Sequence, residues 1–311
     1  MTQELVNVIY LIAAILFIIG LKGLSHPRTA VRGNLLGASG MLLAALVTLL
    51  DNNILRFEVI FLGLLLGTFL GTVLALKIAT TAMPQLVAIF NGFGGAASAI
   101  VAGAVVEITI ASGGTLTVQA MIASSASGLI GSVTLLGSLT AFGKLQGLIT
   151  EKPVLIPGRH LFNGLMIIGC VGLAIWFLTD PAYTLPFWIL VAVASTLGIF
   201  LVLPIGGADM PVIIALLNSY SGLAAAATGF VLDNNMLIIA GSLVGAAGFI
   251  LTSLMSKAMN RSLSNVLFAG VGAVSSSSTS SEDIYAGRVK SGTPEEIAIL
   301  LESAQRVVIV P

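Results

Sequence analysis

Two copies of one short pattern decide how this chain folds: MPQLVAIFN from Met83 to Asn91, and MPVIIALLN from Met210 to Asn218. Each copy lies in an apolar segment, and each places an asparagine seven residues after its proline. The match continues beyond the asparagines, where Gly95 falls opposite Gly222. An amide at membrane depth is costly unless it has a partner or water. The repeat therefore predicts a polar site to which both copies contribute.

The composition is that of an integral membrane protein. Of the 311 residues, 57% are hydrophobic and 8% are charged, and the mean hydropathy is +1.09, far outside the range of soluble domains. The net charge of zero gives no reason to expect nucleic acid as a partner. We expect an all-α bundle of about nine transmembrane helices. The apolar runs lie near 5–24, 34–50, 57–76, 84–108, 116–142, 161–178, 184–203, 211–230 and 236–256.

The charges between these runs predict the orientation, because Lys and Arg near helix ends stay on the cytoplasmic side. With nine spans, almost all of them fall on one side, and the other side holds only Arg56. The N-terminus is therefore expected outside and the C-terminal segment in the cytoplasm. The residues on the inner side are Lys22, Arg28, Arg32, Lys77, Lys144, Lys152, Arg159, Lys257 and Arg261.

The composition changes after Arg261. A serine and threonine run at 275–281 indicates a linker over 262–292, so the transmembrane domain is expected at 1–261. Residues 293–311 begin with helix-capping signals at Thr293 and end in the apolar run 307–310, which is typical of a buried parallel strand. We interpret 293–311 as the start of a soluble α/β domain, in preference to a tail lying on the membrane surface.

Small and polar residues follow one face of the fifth and ninth predicted helices. LIGSVTLLGSLTAFGK (129–144) resembles LVGAAGFILTSLMSK (243–257), with Ser138 and Gly248 among the small residues of these faces. Such spacing is typical of close helix packing, which is the simpler interpretation. A buried amide can also bridge two helices, but two of them at equal depth favour a hydrated or proton-conducting path past Asn91 and Asn218.

Asp209 lies in the stretch IGGADMP (205–211), where two glycines and a proline interrupt the helical pattern. Broken backbone beside a carboxylate is found at ion and proton sites. An aspartate just before a helix that begins with proline can equally serve as a helix cap. The spacing leaves both interpretations open.

The stretch IGGADMPVIIALLNSYSGLAAAATGF (205–230) resembles the β subunit of proton-translocating NAD(P) transhydrogenases, and SKAMNRSLSNVLFAGVG (256–272) resembles the segment by which those proteins leave their last membrane helix. The resemblance extends over the whole chain. It implies hydride transfer from NADH to NADP⁺ between two soluble domains, while a proton moves from outside into the cytoplasm. This chain is then similar to the membrane domain, with the first residues of a Rossmann-type NADP(H)-binding domain at 293–311.

The resemblance also implies roles for single residues. It marks Asp209 and Asn218 as coupling and proton-path residues, Ser138 and Gly248 as lining the path, and Arg261 as a docking position for the nucleotide domain. Several relatives have histidine where this chain has Asn91, and an amide does not titrate near neutral pH. Water, or a titratable group from a partner subunit, would then have to carry the proton there.

The cofactors and partners are likewise implied by the resemblance. NADP(H) belongs to the C-terminal domain and NAD(H) to a partner α subunit, and these residues alone bind neither. A dimer of assemblies is expected, each containing α subunits that supply membrane and NAD(H)-binding parts, in the inner membrane of a bacterial cell. The residues themselves leave a second function open, a secondary transporter with its substrate at the interface of two parallel repeats. No metal cluster, activated nucleophile or phosphate loop is evident in the sequence.

Overall fold

The computed structural model describes residues 3–24, 26–49, 57–180, 182–260 and 262–267, together with single positions at 298, 301, 302, 304 and 306. Within these residues, nine helices are long and apolar enough to cross a membrane. The expectation of an all-α bundle with nine such helices is confirmed for this part of the chain. The helices are α1 Gln3–Leu24, α2 Pro27–Leu49, α3 Phe57–Lys77, α4 Met83–Ala111, α5 Val118–Leu145, α6 Arg159–Thr179, α7 Leu185–Val202, α8 Met210–Val231 and α9 Asn235–Ala258.

The two repeat copies form equivalent structures. Each begins with a short 3-10 turn, Thr80–Ala82 before α4 and Gly207–Asp209 before α8. Each long helix then has its proline in the first turn, where the missing N–H would have had no intrahelical partner. Because α4 and α8 are four spans apart, they cross the membrane in the same direction if every helix spans it.

Each repeat helix packs antiparallel to the helix that follows it, α4 against α5 and α8 against α9, and glycines allow the two helices to approach closely. Gly131 of α5 faces Gly95 of α4 so closely that a Cβ on Gly131 would lie 2.5 Å from the Gly95 carbonyl oxygen. In the second hairpin, Gly222 of α8 faces the backbone of Gly245 of α9 in the same way. The glycines meet at matched positions of the repeat. The absence of side chains lets the helix axes approach, as in other membrane helix pairs.

Helix α5 lies at the centre of the bundle. It packs against α4, α6, α7 and α8, and most of its buried residues are glycine, alanine, serine or threonine. Small side chains on every face let one helix contact four neighbours. Helix α3 is the opposite case, because none of its residues is buried. An apolar helix of this kind faces lipid or another subunit's helices when it lies in a membrane.

A short helix α10, Leu263–Leu267, follows the last long helix. Its Val266 is buried among Val212, Ile213 and other residues near the start of α8, so the first residues of the predicted linker pack on the bundle. The contacts divide the chain into two units after Leu267. Arg261, the remainder of the predicted linker, and nearly all of 293–311 with its predicted strand lie outside the described residues.

Candidate functional site

Asn91 and Asn218 line the same cavity, which has a volume of about 510 Å³. Asn91 is the ninth residue of α4 and Asn218 is the ninth residue of α8. At a rise of about 1.5 Å per residue, each amide lies about 12 Å along its helix. The side chain of Asn91 is buried, whereas that of Asn218 is partly exposed. The repeat therefore brings its two asparagines to one polar wall.

Matched positions of the repeat also form the rest of this wall. Gly94 of α4 corresponds to Ser221 of α8, Ser98 corresponds to Ala225, and all four line the cavity. A Cβ placed on Gly94 would lie 3.5 Å from the Ser221 hydroxyl oxygen, so these two positions face each other directly. The two repeat helices thus cross at their own equivalent residues.

Asn91 joins three helices through one side-chain and one backbone hydrogen bond. Its Nδ2 donates to the Ser138 hydroxyl oxygen of α5 at 2.9 Å, and Ser221 of α8 donates to the Asn91 backbone oxygen at 3.2 Å. The Asn91 Oδ1 atom is buried and has no hydrogen-bond partner in the described part of the chain. A buried amide oxygen needs a donor, and water is the usual one in a polar cavity.

The opposite wall of the cavity is apolar. It includes Phe17 of α1 and Met41 of α2, and the remaining side is formed by α9 residues such as Val244. The polar groups are therefore confined to the face where α4 meets α8. A water or proton in this cavity would find its partners on that face alone.

Asp209 lies at the cytoplasmic end expected for α8, outside the cavity lining. It closes the turn Gly207–Asp209, and its side chain is 7% exposed. Its backbone N–H donates to the Gly206 oxygen at 3.0 Å, and the neighbouring Gly207 N–H donates to the Glu151 oxygen at 2.9 Å. The carboxylate makes no capping hydrogen bond to α8. The geometry thus gives no support to the interpretation of Asp209 as a helix cap.

The structure separates Gly248 from the cavity. A Cβ on Gly248 would lie 2.9 Å from the backbone nitrogen of Ser219, so the glycine lies where α8 and α9 cross. The Ser219 hydroxyl donates to the Gly245 oxygen at 2.6 Å in the same crossing. Gly248 therefore lies beside the site as a packing position. Arg261, the predicted docking residue, lies outside the described residues.

A group of hydrogen-bonded serine and threonine residues lies toward the expected outer end of the bundle; Ser127 belongs to the small-residue face predicted for the fifth helix, whereas its partners Ser98 and Thr228 were missed by sequence reasoning. The Ser127 hydroxyl of α5 lies 3.0 Å from the Ser98 backbone oxygen and 2.7 Å from the Thr228 hydroxyl of α8. Ser98 and Ser221 follow the two asparagines at helical spacings of seven and three residues. That periodicity could have identified them as neighbours on the same faces.

Among the residues that the structure describes, no group of three or more His, Cys, Asp or Glu side chains could hold a metal ion. The chemistry available at the cavity is consequently that of amides, hydroxyls and any water they bind. Amides and hydroxyls donate and accept hydrogen bonds and so can order water, but they do not titrate near neutral pH, and none of them is an activated nucleophile.

The family described as NAD(P) transhydrogenase beta subunit matches residues 6–311. The chain belongs to that family. Two sequences from Rhodospirillum rubrum, both named NAD(P) transhydrogenase subunit beta, are each 42% identical to it over 315 aligned positions. Each alignment covers 100% of this chain and 68% of the relative. The resemblance drawn from the sequence alone is confirmed.

Membership of the transhydrogenase β family agrees with the architecture. Nine helices of membrane length in the described residues fit a multi-pass membrane protein. The segment 205–230, on which the resemblance rested, carries Asp209, Asn218 and Ser221. Asn218 and Ser221 of this stretch line the cavity, and Asp209 lies outside the lining.

Proposed function

We propose that this chain is the membrane domain of a proton-translocating transhydrogenase, in which hydride transfer from NADH to NADP⁺ is coupled to proton movement from outside into the cytoplasm. One observation carries the proposal: Asn91 and Asn218, at matched positions of the repeat, line one cavity, and Asn91 is hydrogen-bonded to Ser138. Polar groups inside a membrane bundle typically mark a substrate or ion pathway.

The proton passes Asn91 by way of water in this proposal. The amide has no titratable proton near neutral pH, but its buried Oδ1 lacks a protein partner among the described residues and is free to accept from water. Asn218 and Ser221 supply further polar atoms on the same wall. Ser138 orients the Asn91 amide, and Gly248 keeps α9 close to α8 behind that wall.

Asp209 couples this path to the nucleotide domain. Its turn joins the end of α7 to the start of α8, and α8 carries Asn218. A force on the turn is thus transmitted along the helix that forms the cavity wall. A docked domain shifts the gate only through its different affinities for the two gate states. Arg261 supplies a docking contact on the same side.

We propose the following cofactors, partners and location, which family membership supports. NADP(H) binds in a Rossmann-type domain that begins at 293–311 after the linker 262–292, with 1–261 as the transmembrane domain. NAD(H) binds on an α subunit, and two such αβ assemblies pair in a bacterial inner membrane. The relatives extend beyond the aligned part, which agrees with a further domain in this protein. These residues alone bind neither nucleotide.

A secondary transporter remains the second candidate. The cavity of about 510 Å³ has room for a small solute, since ligand pockets commonly span about 300–1,000 Å³. Family membership argues against this alternative. The two functions differ in one measurable respect, because a transporter moves its solute without any nucleotide.

Reconstitution of the full-length protein with its α subunits tests the proposal. The complex is placed in vesicles, and the internal pH is followed while NADH reduces an NADP⁺ analogue. Proton movement should accompany turnover and stop when the NADH is exhausted. Turnover with an unchanged internal pH would remove the assignment as a proton pump.

The variant Asp209→Asn tests the coupling role, with Glu151→Gln as its matched control. Glu151 is exposed in the neighbouring loop and contacts the turn through its backbone oxygen, which the substitution preserves. Asp209→Asn should lower the number of protons moved per hydride transferred, whereas Glu151→Gln should leave this ratio and both rates close to wild type. If Asp209→Asn leaves this ratio unchanged, the coupling role is wrong.

A further inference from the structure

Lys144 is a buried charge that the proposed proton path does not use. It lies in the last turn of α5, and its side chain has no exposed surface. Its Nζ donates to three backbone carbonyl oxygens: Leu203 at 2.6 Å, Ile205 at 2.8 Å and Lys152 at 3.2 Å. An ammonium group has three N–H donors, so this arrangement uses all of them.

Such an arrangement is more than packing. Burying an ammonium is costly unless every donor is satisfied, and an apolar side chain would fill the same volume without that cost. Two of the three carbonyls belong to the end of α7 and the turn after it, where helix carbonyls have no intrahelical partner and attract a positive charge. Lys144 therefore binds one particular backbone conformation of the segment 203–205.

This segment leads directly into the turn that carries Asp209. Ile205 precedes Asp209 by four residues, and the loop after α5 binds the same segment. There the Val154 N–H donates to the Leu203 oxygen at 3.2 Å. Lys144 thus fixes the side of the turn that lies nearest to α5.

The same helix carries the partner of Asn91. Ser138 precedes Lys144 by six residues, which is about 9 Å along the axis of α5 at the usual rise. A single stretch of α5 therefore connects two sets of hydrogen bonds. One set is made by the Lys144 ammonium, and the other is the Asn91–Ser138 hydrogen bond. A displacement of the Asp209 turn would pull on α5 through Lys144.

We propose that Lys144 is a positioning residue, which fixes the Asp209 turn to α5 through three backbone carbonyls and transmits movement of that turn to the Asn91–Ser138 pair. The functional meaning of that movement rests on the proposed function. The attachment of the Asp209 turn to α5 through Lys144 does not depend on the proposed function.

The test compares Lys144→Met with Lys152→Met in the reconstituted full-length complex. Both variants remove one lysine charge on the same side of the bundle. The Lys152 side chain is exposed, and that residue contributes its backbone oxygen, which methionine retains. Lys144→Met should lower the number of protons moved per hydride transferred by about twofold or more, the size expected when one coupling residue is removed. Lys152→Met should leave this ratio unchanged.

Amide hydrogen exchange measures the attachment directly. In Lys144→Met, the Gly207 and Asp209 amides should exchange about tenfold faster or more, while the α8–α9 crossing stays protected. A variant that lowers both rates in proportion, with an unchanged ratio, would show a role in folding alone and would overturn the proposal. Unchanged exchange in the turn would also overturn it.

A failure of this proposal can be distinguished from a failure of the variant to accumulate and from a failure of the proposed function. If Lys144→Met does not accumulate in the membrane, Lys144→Gln, which retains two N–H donors, is measured by the same criteria. If the wild-type complex moves no protons during turnover, the proposed function fails. The exchange measurement then still decides whether Lys144 holds the turn.

Discussion

At the scale of single residues, the identity of the side chain at position 91 determines how a proton can pass the cavity. Asn91 lines the cavity and donates to Ser138, and its buried Oδ1 has no partner among the described residues. An amide in this position can order water but cannot exchange a proton near neutral pH. The rate of proton passage should then depend on water at the site, and on a titratable group elsewhere.

Asn91→His tests this dependence by placing a titratable group in the cavity. A histidine titrates at about pH 6.5 in water, so it adds a group that can exchange a proton near neutral pH. Proton movement should acquire a new inflection in its pH profile that wild type lacks. Asn91→Gln retains the amide and is the control, with no new inflection. Identical pH profiles for Asn91→His and wild type would contradict the placement of residue 91 on the path.

The Asn91–Ser138 hydrogen bond gives a second residue-scale prediction. Ser138→Ala leaves the Asn91 Nδ2 without its acceptor, which should cost about 0.5–2 kcal/mol of stability. Ser132 is a matched control on the same helix, because it is equally buried and its hydroxyl has no partner in the described part of the chain. Thermal unfolding of the solubilised protein should show a lower Tm for Ser138→Ala alone. Equal Tm values for the two alanine variants would rule out a stabilising role for this bond.

Part of the site could be predicted from the sequence, and part could not. The two asparagines are paired by the repeat itself, which is visible without a structure. Ser221 follows Asn218 by three residues, but a lone serine on an apolar helix is usually a packing residue. The burial of Lys144 had no sequence signal, because a lysine at a helix end normally extends its ammonium to the membrane surface. Only the fold brings the carbonyls of Leu203 and Ile205, just after α7, to it.

At the scale of helices, the glycine pairs set the distance between α4 and α5 and between α8 and α9. Gly131→Ala should separate α4 from α5, because the new Cβ would lie 2.5 Å from the Gly95 backbone oxygen, which has no freedom to rotate away. We expect a lower Tm of the solubilised protein and a weakened Asn91–Ser138 bond. Gly172→Ala in α6 is the control, since no atom lies within 4 Å of its Cβ position.

The control should be unchanged or slightly more stable, because alanine is favoured over glycine in helices by about 1 kcal/mol. A Tm for Gly131→Ala equal to that of Gly172→Ala would contradict the close contact of the two helices. The same comparison applies to the second hairpin through Gly222→Ala, which meets the backbone of Gly245.

Helix boundaries were predictable where apolar runs end, and less so where polar residues continue the helix. Helix α2 begins at Pro27, whereas the apolar pattern indicated 34, because Arg28 and Arg32 lie on its first turns. The hydropathy pattern marks the part of a helix that lies in the apolar layer of the membrane, so it misses helical turns that extend beyond that layer. Gly248 lies where α8 and α9 cross. A small-residue face does not distinguish packing from lining a path, so its role in lining the path stays a prediction.

At the scale of the whole molecule, the two repeat hairpins are arranged around α5. Helix α5 belongs to the first hairpin and packs against α8 of the second, so both asparagine-bearing helices contact it. The cavity lies where these two helices meet the α1–α2 hairpin. A parallel repeat of this kind places both proline-bearing helix starts on one side of the membrane. The charge distribution predicts that this side is the cytoplasm.

Accessibility of single cysteines tests that orientation. With Cys170, the only cysteine in the sequence, replaced by serine, Ser112→Cys places a thiol in the exposed α4–α5 connection and Lys152→Cys places one in the exposed α5–α6 connection. Consecutive connections lie on opposite sides of the membrane, so a membrane-impermeant maleimide should label only Ser112→Cys in intact spheroplasts. Inverted vesicles should give the reverse labelling. Labelling of Lys152→Cys from outside would contradict the predicted orientation and indicate the opposite one. The Asp209 turn would then lie on the side away from the cytoplasmic nucleotides, and the coupling proposed for it would be lost.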